Sequence, residues 1–334
     1  RKRMMRKVTI AALVLAGAGI TTANTLAQGT AADYPQRPIR ILVGFPPGGA
    51  TDILARILAT HLATSWGQQV VIDNRGAAAG TFAANIVAKA TADGYTLMMV
   101  PSGPFTISVS TYANLPYDAV RDFAALSLLA WVTNALVINQ NSPVQSLQDL
   151  IRLAKEKPGQ LTNGSSGNGS LHHLAGEVFK RLTGTNIIHV PFKGGGPMIV
   201  AVAGNEVTFA FASVPSAMPM IQAKRIRPLV VTSLKRSITL PEVPTIAEAG
   251  VPLPAGLEMR EWYGMLAPAR TPQAIVDKLN AEMVKIFRRP DVQTRLNEMG
   301  AEFAGSSPKE LAAQIASDVK TWAAVAKEAG VRAD

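Results

Sequence analysis

Cysteine is absent from the 334 residues, so thiolate nucleophiles, thiolate metal sites and disulfide staples are excluded. Aromatic residues are scarce at 6%, histidine occurs 4 times, and charged residues make up 17%. The chain carries no G-x-S-x-G elbow, no H-E-x-x-H and no P-loop G-x-x-x-x-G-K-[ST], which removes familiar nucleophile, zinc and nucleotide signatures. No Arg/Lys stripe interleaved with aromatics occurs, so no nucleic-acid partner is expected. The formal charge of +10 shrinks when the five basic residues at the start are set aside: 28 basic against 23 acidic side chains leave +5. A surplus of that size attracts anions in general.

Those first residues have a recognisable layout. Arg1, Lys2, Arg3, Arg6 and Lys7 precede an apolar run over residues 8–20 and a polar, small-residue stretch over 21–32. Residues 1–32 are read as a secretory signal peptide and leader, with a retained N-terminal membrane anchor as the alternative. A helix over the 13 residues of the run spans roughly 20 Å, short of the ~30 Å hydrocarbon core.

The rest exceeds the size at which one hydrophobic core keeps growing, so two domains are expected. Patterning predicts strands over 39–45, 69–72 and 95–100. Helices are predicted between them, one capped by Thr51 or Asp52 and stopped by Gly67, the next over 81–90. Strand, loop, helix, strand implies α/β layering with binding loops at the carboxyl ends of strands. A second lobe is expected from residue 136, with strands over 136–138, 186–191, 207–211 and 226–232 and helices over 147–154 and 171–182. Towards the end come a strand over 262–266, a helix after Thr271-Pro272, and a last helix with Ser307 as cap, Pro308 in the first turn and Glu310 at the reciprocal position. Such helices usually pack back over an existing sheet. Lobe 1 is therefore drawn as 33–135 plus 255–334, and lobe 2 as 136–254.

No catalytic constellation emerges. His172 and His173 are adjacent and point about 100° apart on a helix, so they would not readily share a metal; Glu177 lies one turn beyond His173. Asp52 reads as a helix cap or, on the enzyme alternative of a secreted hydrolase or isomerase, as a general base. What stands out is a set of glycine loops opening helices, over residues 45–52, 163–170 and 192–197. Glycines there expose successive N–H groups where a helix dipole is positive, which suits an anion. The stretch from Gly167 to His172 does not close as G-x-G-x-x-G, so no dinucleotide or other cofactor is expected. Phe45, Phe105, Trp131 and Trp262 are read as selectivity groups in a cleft or as core.

At these residues the chain resembles the substrate-binding proteins of the tripartite tricarboxylate transporter family, the Bug receptors. The resemblance runs through Tyr34-Pro35-Gln36-Arg37-Pro38-Ile39, Pro47-Gly48-Gly49-Ala50-Thr51-Asp52 and Ala92-Asp93-Gly94-Tyr95-Thr96-Leu97. It continues in Gly167-Asn168-Gly169-Ser170-Leu171-His172, Leu240-Pro241-Glu242-Val243-Pro244-Thr245 and Trp262-Tyr263-Gly264. It implies a periplasmic binding protein of type II, two α/β lobes hinged about a cleft, without enzymatic activity. Its ligand would be a small carboxylate: a di- or tricarboxylate, an aromatic acid or an amino acid. The partner would be a two-component membrane permease or, alternatively, a membrane sensor, and the receptor a monomer. Binding residues implied are Phe45, Pro47, Gly48, Gly49, Thr51 and Asp52 in the first loop, Gly76 and Ala78 in the second, and Ser102 in the third. Lobe 2 would add Ser165, Gly167, Gly169, Ser170 and His172, with Ala212 in its wall, and Trp131 of lobe 1 joins them from the aromatic candidates above. Members often have Asp where Ala212 stands and His where Met220 stands, so the resemblance favours a purely carboxylic or aromatic ligand over an amino acid.

Overall fold

The computed structural model describes residues 32–254 and 257–332, so the expected signal peptide lies outside the described residues but for Ala32. The chain begins a first sheet with β1 (Ile39–Val43), α1 (Ala50–Trp66), β2 (Val70–Asn74), α2 (Thr81–Ala88) and β3 (Thr96–Pro101). Two single-turn helices, α3 (Gly103–Thr106) and α4 (Ser108–Thr111), lead to β4 (Phe123–Val132). One residue later the chain enters a second sheet with β5 (Asn134–Asn139), α5 (Leu147–Glu156), β6 (Thr162–Ser165) and α6 (Leu171–Thr183). There follow β7 (Ile188–Pro191), α7 (Gly195–Ala203), β8 (Phe209–Ser213), α8 (Val214–Gln222) and β9 (Ile226–Val231). The return to the first sheet brings β10 (Glu261–Pro268), α9 (Gln273–Phe287), α10 (Pro290–Glu298), β11 (Ala301–Phe303) and α11 (Pro308–Ala329).

The first sheet has six strands in the order β11-β4-β10-β3-β1-β2, the second five in the order β7-β6-β8-β5-β9. In each, three parallel strands meet one antiparallel strand that belongs to a crossing: β10 beside β3, and β5 beside β8. Parallel strands need helical crossovers, which cover both faces, so consecutive strand residues are apolar and buried. Ile41 and Val43 face α1 and α9, while Leu42 between them faces α2 and α11. The second sheet is covered by α5 and α6 on one face and by α7 and α8 on the other.

The two crossing segments are tied side by side. Thr232 Oγ1 donates to Asn134 O at 3.1 Å and Met259 O at 2.7 Å, and Asn134 Nδ2 donates to Met259 O at 3.0 Å.

One expectation needs correction. The last helix does not lie over the first sheet alone: Leu311 and Ile315 pack there, but Trp322 and Ala326 enter the core built on α5 and α6. At 22 residues, α11 is long enough to reach both lobes. Among the described residues no helix is long and apolar enough to cross a membrane.

Candidate ligand-binding site

A cavity lies between the sheets, beside the crossing segments. Four helices begin at it. Gly49, the N-cap of α1, lines it, as do Ser170, the N-cap of α6, Gly195 in the first turn of α7 and Ser213, the N-cap of α8. The first turn of a helix leaves main-chain N–H groups without intrahelical partners, and the aligned peptide dipoles make that end positive. No Lys or Arg lines the cavity among the described residues; Lys193 lines a neighbouring opening that shares Phe45, Ala79 and Ser166 with it.

The first loop shows how the chain builds one of these ends. Gly48 has φ +90, a conformation that side chains disfavour, and its N–H donates to Asp52 Oδ2 at 3.1 Å. Asp52 is therefore not the cap. It stands in the first turn with Gly49 before the helix, and it also accepts from Asn74 Nδ2 at 3.0 Å and Arg56 Nε at 3.0 Å. Burial opposes its ionisation, but these bonds more than offset it and hold the carboxyl below the usual range. The side chain thus braces the loop, and Thr51 faces the cavity instead.

A line of hydroxyls crosses between the lobes. Ala50 N–H donates to Ser216 Oγ at 2.8 Å, Ser216 and Ser213 share a 2.8 Å bond, and Ser213 and Tyr263 line the cavity together. Tyr263 Oη donates to Glu261 Oε2 at 2.9 Å. Glu261 is 3% exposed, has no cationic partner among the described residues, and burial pushes its carboxyl up to about 7. Burial likewise raises the Tyr263 phenol well above its ordinary value.

His172 lines the same cavity. Asn134 spends its amide N–H₂ on Met259 O, so its Oδ1 accepts, and His172 Nε2 at 3.1 Å must carry the proton. His172 Nδ1 then accepts from Ser166 Oγ at 2.7 Å. Burial pushes the imidazole down to about 4, so it is neutral at pH 7. His173 turns away: its Nδ1 takes the Gly169 N–H at 3.3 Å and its ring stacks on His189 at 3.9 Å. Among the described residues no group of three or more His, Asp or Glu is placed to hold a metal ion.

Of the residues expected at the site, Phe45, Gly49, Thr51, Ser170 and His172 line this cavity. Pro47 and Gly48 lie at an outer mouth between α7 and α8, and Gly167 lines the opening near Lys193. Gly76 abuts the Pro46 ring, Gly169 packs on Thr111 and Tyr112, and Ser165 bonds His189 Nε2 at 2.6 Å, so these three shape loops. Ser102 is buried between Pro101 and Gly103, which do line the cavity; Ala78 precedes the lining residue Ala79 in a 3-10 turn.

Two wall assignments are wrong. Trp131 packs towards α11, with the Arg260 guanidinium 5.1 Å above its ring. Ala212 is fully buried under α7 and α8, because strand alternation sends Ala210 and Ala212 there and Phe209 and Phe211 to the other face. Its lack of a carboxylate therefore removes no direct ligand contact, and the argument drawn from it against an amino acid falls. Of the aromatic candidates, Phe105 and Trp262 are core, and only Phe45 reaches the cavity. Sequence reasoning missed Ser213, Ser216, Glu261 and Tyr263. Ser213 was legible as the polar residue between a buried strand and Pro215 in a helix first turn; nothing in the sequence sets Glu261 apart.

Two lobes, two crossings and a cavity ringed by helix amino termini define a solute-binding protein of the periplasmic type. The chain belongs to the tripartite tricarboxylate transporter family of receptors, whose family model matches residues 54–331. It is similar to a protein from the tcbD-tcbE intergenic region of a Pseudomonas strain, 40% identical over 312 residues, or 92% of this chain and 91% of that one. It is similar also to BugT of Bordetella pertussis, 34% identical over 321 residues, covering 96% and 98% of the two chains. The structure of an R. palustris protein with adipate matches with a TM-score of 0.87 and 39% identity, covering 90% of this chain and 99% of that one. The family is one of solute-binding receptors, not enzymes.

Proposed function

We propose that this protein is an exported periplasmic receptor that closes its lobes, 33–135 with 255–334 against 136–254, over a small carboxylate and delivers it to a two-component membrane permease. The observation that carries the reading is the convergence of four helix amino termini on a cavity that no Lys or Arg lines among the described residues. An anion there is held by main-chain N–H groups and by the hydroxyls of Thr51, Ser166, Ser170, Ser213 and Ser216, each charged hydrogen bond contributing roughly 1.5–3 kcal/mol. Phe45 and Pro104 supply apolar wall for a carbon chain. Adipate, present in the R. palustris relative, sets the expected scale: an acyclic dicarboxylate. The family name supports a tripartite transporter as the partner, and the basic-then-apolar start supports export. A receptor that works by hinge closure needs no second subunit, so it acts as a monomer.

Calorimetric titration with four- to eight-carbon dicarboxylates, aromatic acids and amino acids tests this directly. Micromolar or tighter binding of at least one acid is expected, with the uncharged diamides of the same acids failing to bind. Equal binding of acid and diamide would sink the carboxylate reading.

A further inference from the structure

Resting on that carboxylate reading, we propose that Glu261 is the specificity-determining group of the cavity: it enters the complex as a neutral acid and donates its proton to an oxygen of the bound carboxylate.

The cavity has an excess of positive dipole ends and one carboxyl group of its own. Glu261 sits at the start of β10, where the second crossing re-enters the first sheet, opposite Val132 of β4. The groups facing it are few. Tyr263, on the same strand, donates to Oε2, and His172 Nε2 from α6 stands 3.9 Å from Oε2, too far for a hydrogen bond. That imidazole proton is already engaged by Asn134. Arg260 next to it in sequence is committed to Glu258 at 2.8 Å and Glu302 at 3.2 Å. Asp52 on α1 is occupied by Gly48, Arg56 and Asn74. Lys193 lines the neighbouring opening, not this cavity. Among the described residues, nothing of positive charge therefore meets Glu261.

The bonding pattern distinguishes its two oxygens. Oε2 accepts from Tyr263 and plays the carbonyl, which leaves Oε1 as the oxygen without a hydrogen bond among the described residues. In a neutral carboxyl group the remaining oxygen carries the hydroxyl, and here it belongs to a side chain that lines the cavity. An ionised Glu261 beside a ligand carboxylate would set two like charges in an enclosed space without a counter-cation, which strongly disfavours one of the two ionisations. Protonation from solvent resolves this, and the O–H of Glu261 then makes a charge-assisted hydrogen bond to the ligand oxygen.

The arrangement selects ligands. An acceptor oxygen opposite Glu261 is rewarded, while an ammonium there would instead require the ionised form. The two cases give opposite signs. With burial holding the free carboxyl near 7, carboxylate affinity is flat below pH 7 and falls about tenfold per pH unit above it. For an ammonium-bearing ligand on an ionised Glu261, affinity would rise across the same window. The site histidines, all pushed down to about 4, do not titrate there.

The test is titration of the full-length mature protein with adipate and its four- to eight-carbon homologues from pH 6.5 to 9. At pH 8 it is repeated in two buffers of different ionisation enthalpy. Uptake approaching one proton per ligand and the tenfold-per-unit fall are expected, both lost in Glu261→Gln. Binding with no proton uptake, or affinity that rises with pH, overturns the inference while leaving the carboxylate receptor standing. No binding by any acid of this series, nor by the aromatic acids and amino acids, overturns both.

Discussion

Gly49 is the residue at which the site is most open to chemical test. A Cβ built there meets no heavy atom within 4 Å, because the position faces the cavity. Gly49→Val should therefore lower ligand affinity by at least about tenfold, or ~1.4 kcal/mol, with an unchanged thermal midpoint for the ligand-free protein. Calorimetry beside a melting curve checks both halves of that statement. Asp52 behaves in the opposite way, since it braces the loop from behind. Its pKa is depressed in the folded state, so its contribution is present above the unfolded value of about 3.9 and is lost as pH falls through the folded one. With the Arg56 side chain 53% exposed, the ion pair is screened, and Asp52→Asn should cost only about 1 kcal/mol at pH 7. The gap between the two proteins, followed by urea melts, should close below about pH 4. At this scale the sequence revealed backbone chemistry better than side-chain direction. The glycine loops announce themselves by composition, whereas Ala212 and Trp131 were misplaced because which face of a strand meets the cleft depends on pairing partners far along the chain.

Elements were legible where their ends carry a local signal. Ser307, Pro308 and Glu310 predict the start of α11, and the structure holds that capping box complete, with Gly330 in the left-handed conformation as its stop. The strand β4 was invisible for the converse reason. Its sequence, FAALSLLAWV, is rich in Ala and Leu, has no alternation, and becomes a strand because β10 and β11 pair with it on both sides. Helix α8 was missed as well, since Pro219 inside it argues against a helix on sequence grounds. The tertiary role of α11 was only half legible: its apolar stripe is plain, but not that Trp322 serves the second lobe. Trp322 is 6% exposed there, and Trp322→Ala should destabilise the protein by about 3–5 kcal/mol, read as a lower urea midpoint. An unchanged midpoint would mean that the end of α11 is not a structural part of that core.

At the scale of the molecule, the bond from Ala50 N–H to Ser216 Oγ joins an amide at the start of α1 in one lobe to a hydroxyl in the other. Ser216→Ala removes it and leaves the amide unpaired, a loss of about 1 kcal/mol to the closed form. Ligand-free Ser216→Ala protein should show a larger radius of gyration by small-angle scattering, and ligand affinity about fivefold weaker; an unaltered scattering curve would refute the clasp. The four helix openings at the cavity have a different consequence. Their attraction for anions resides in peptide groups, which no amino-acid exchange other than one to proline deletes. Replacing Phe45, Pro104 or Glu261 can retune which acid is preferred, so new specificities can arise by small steps while the appetite for negative charge is inherited with the architecture itself.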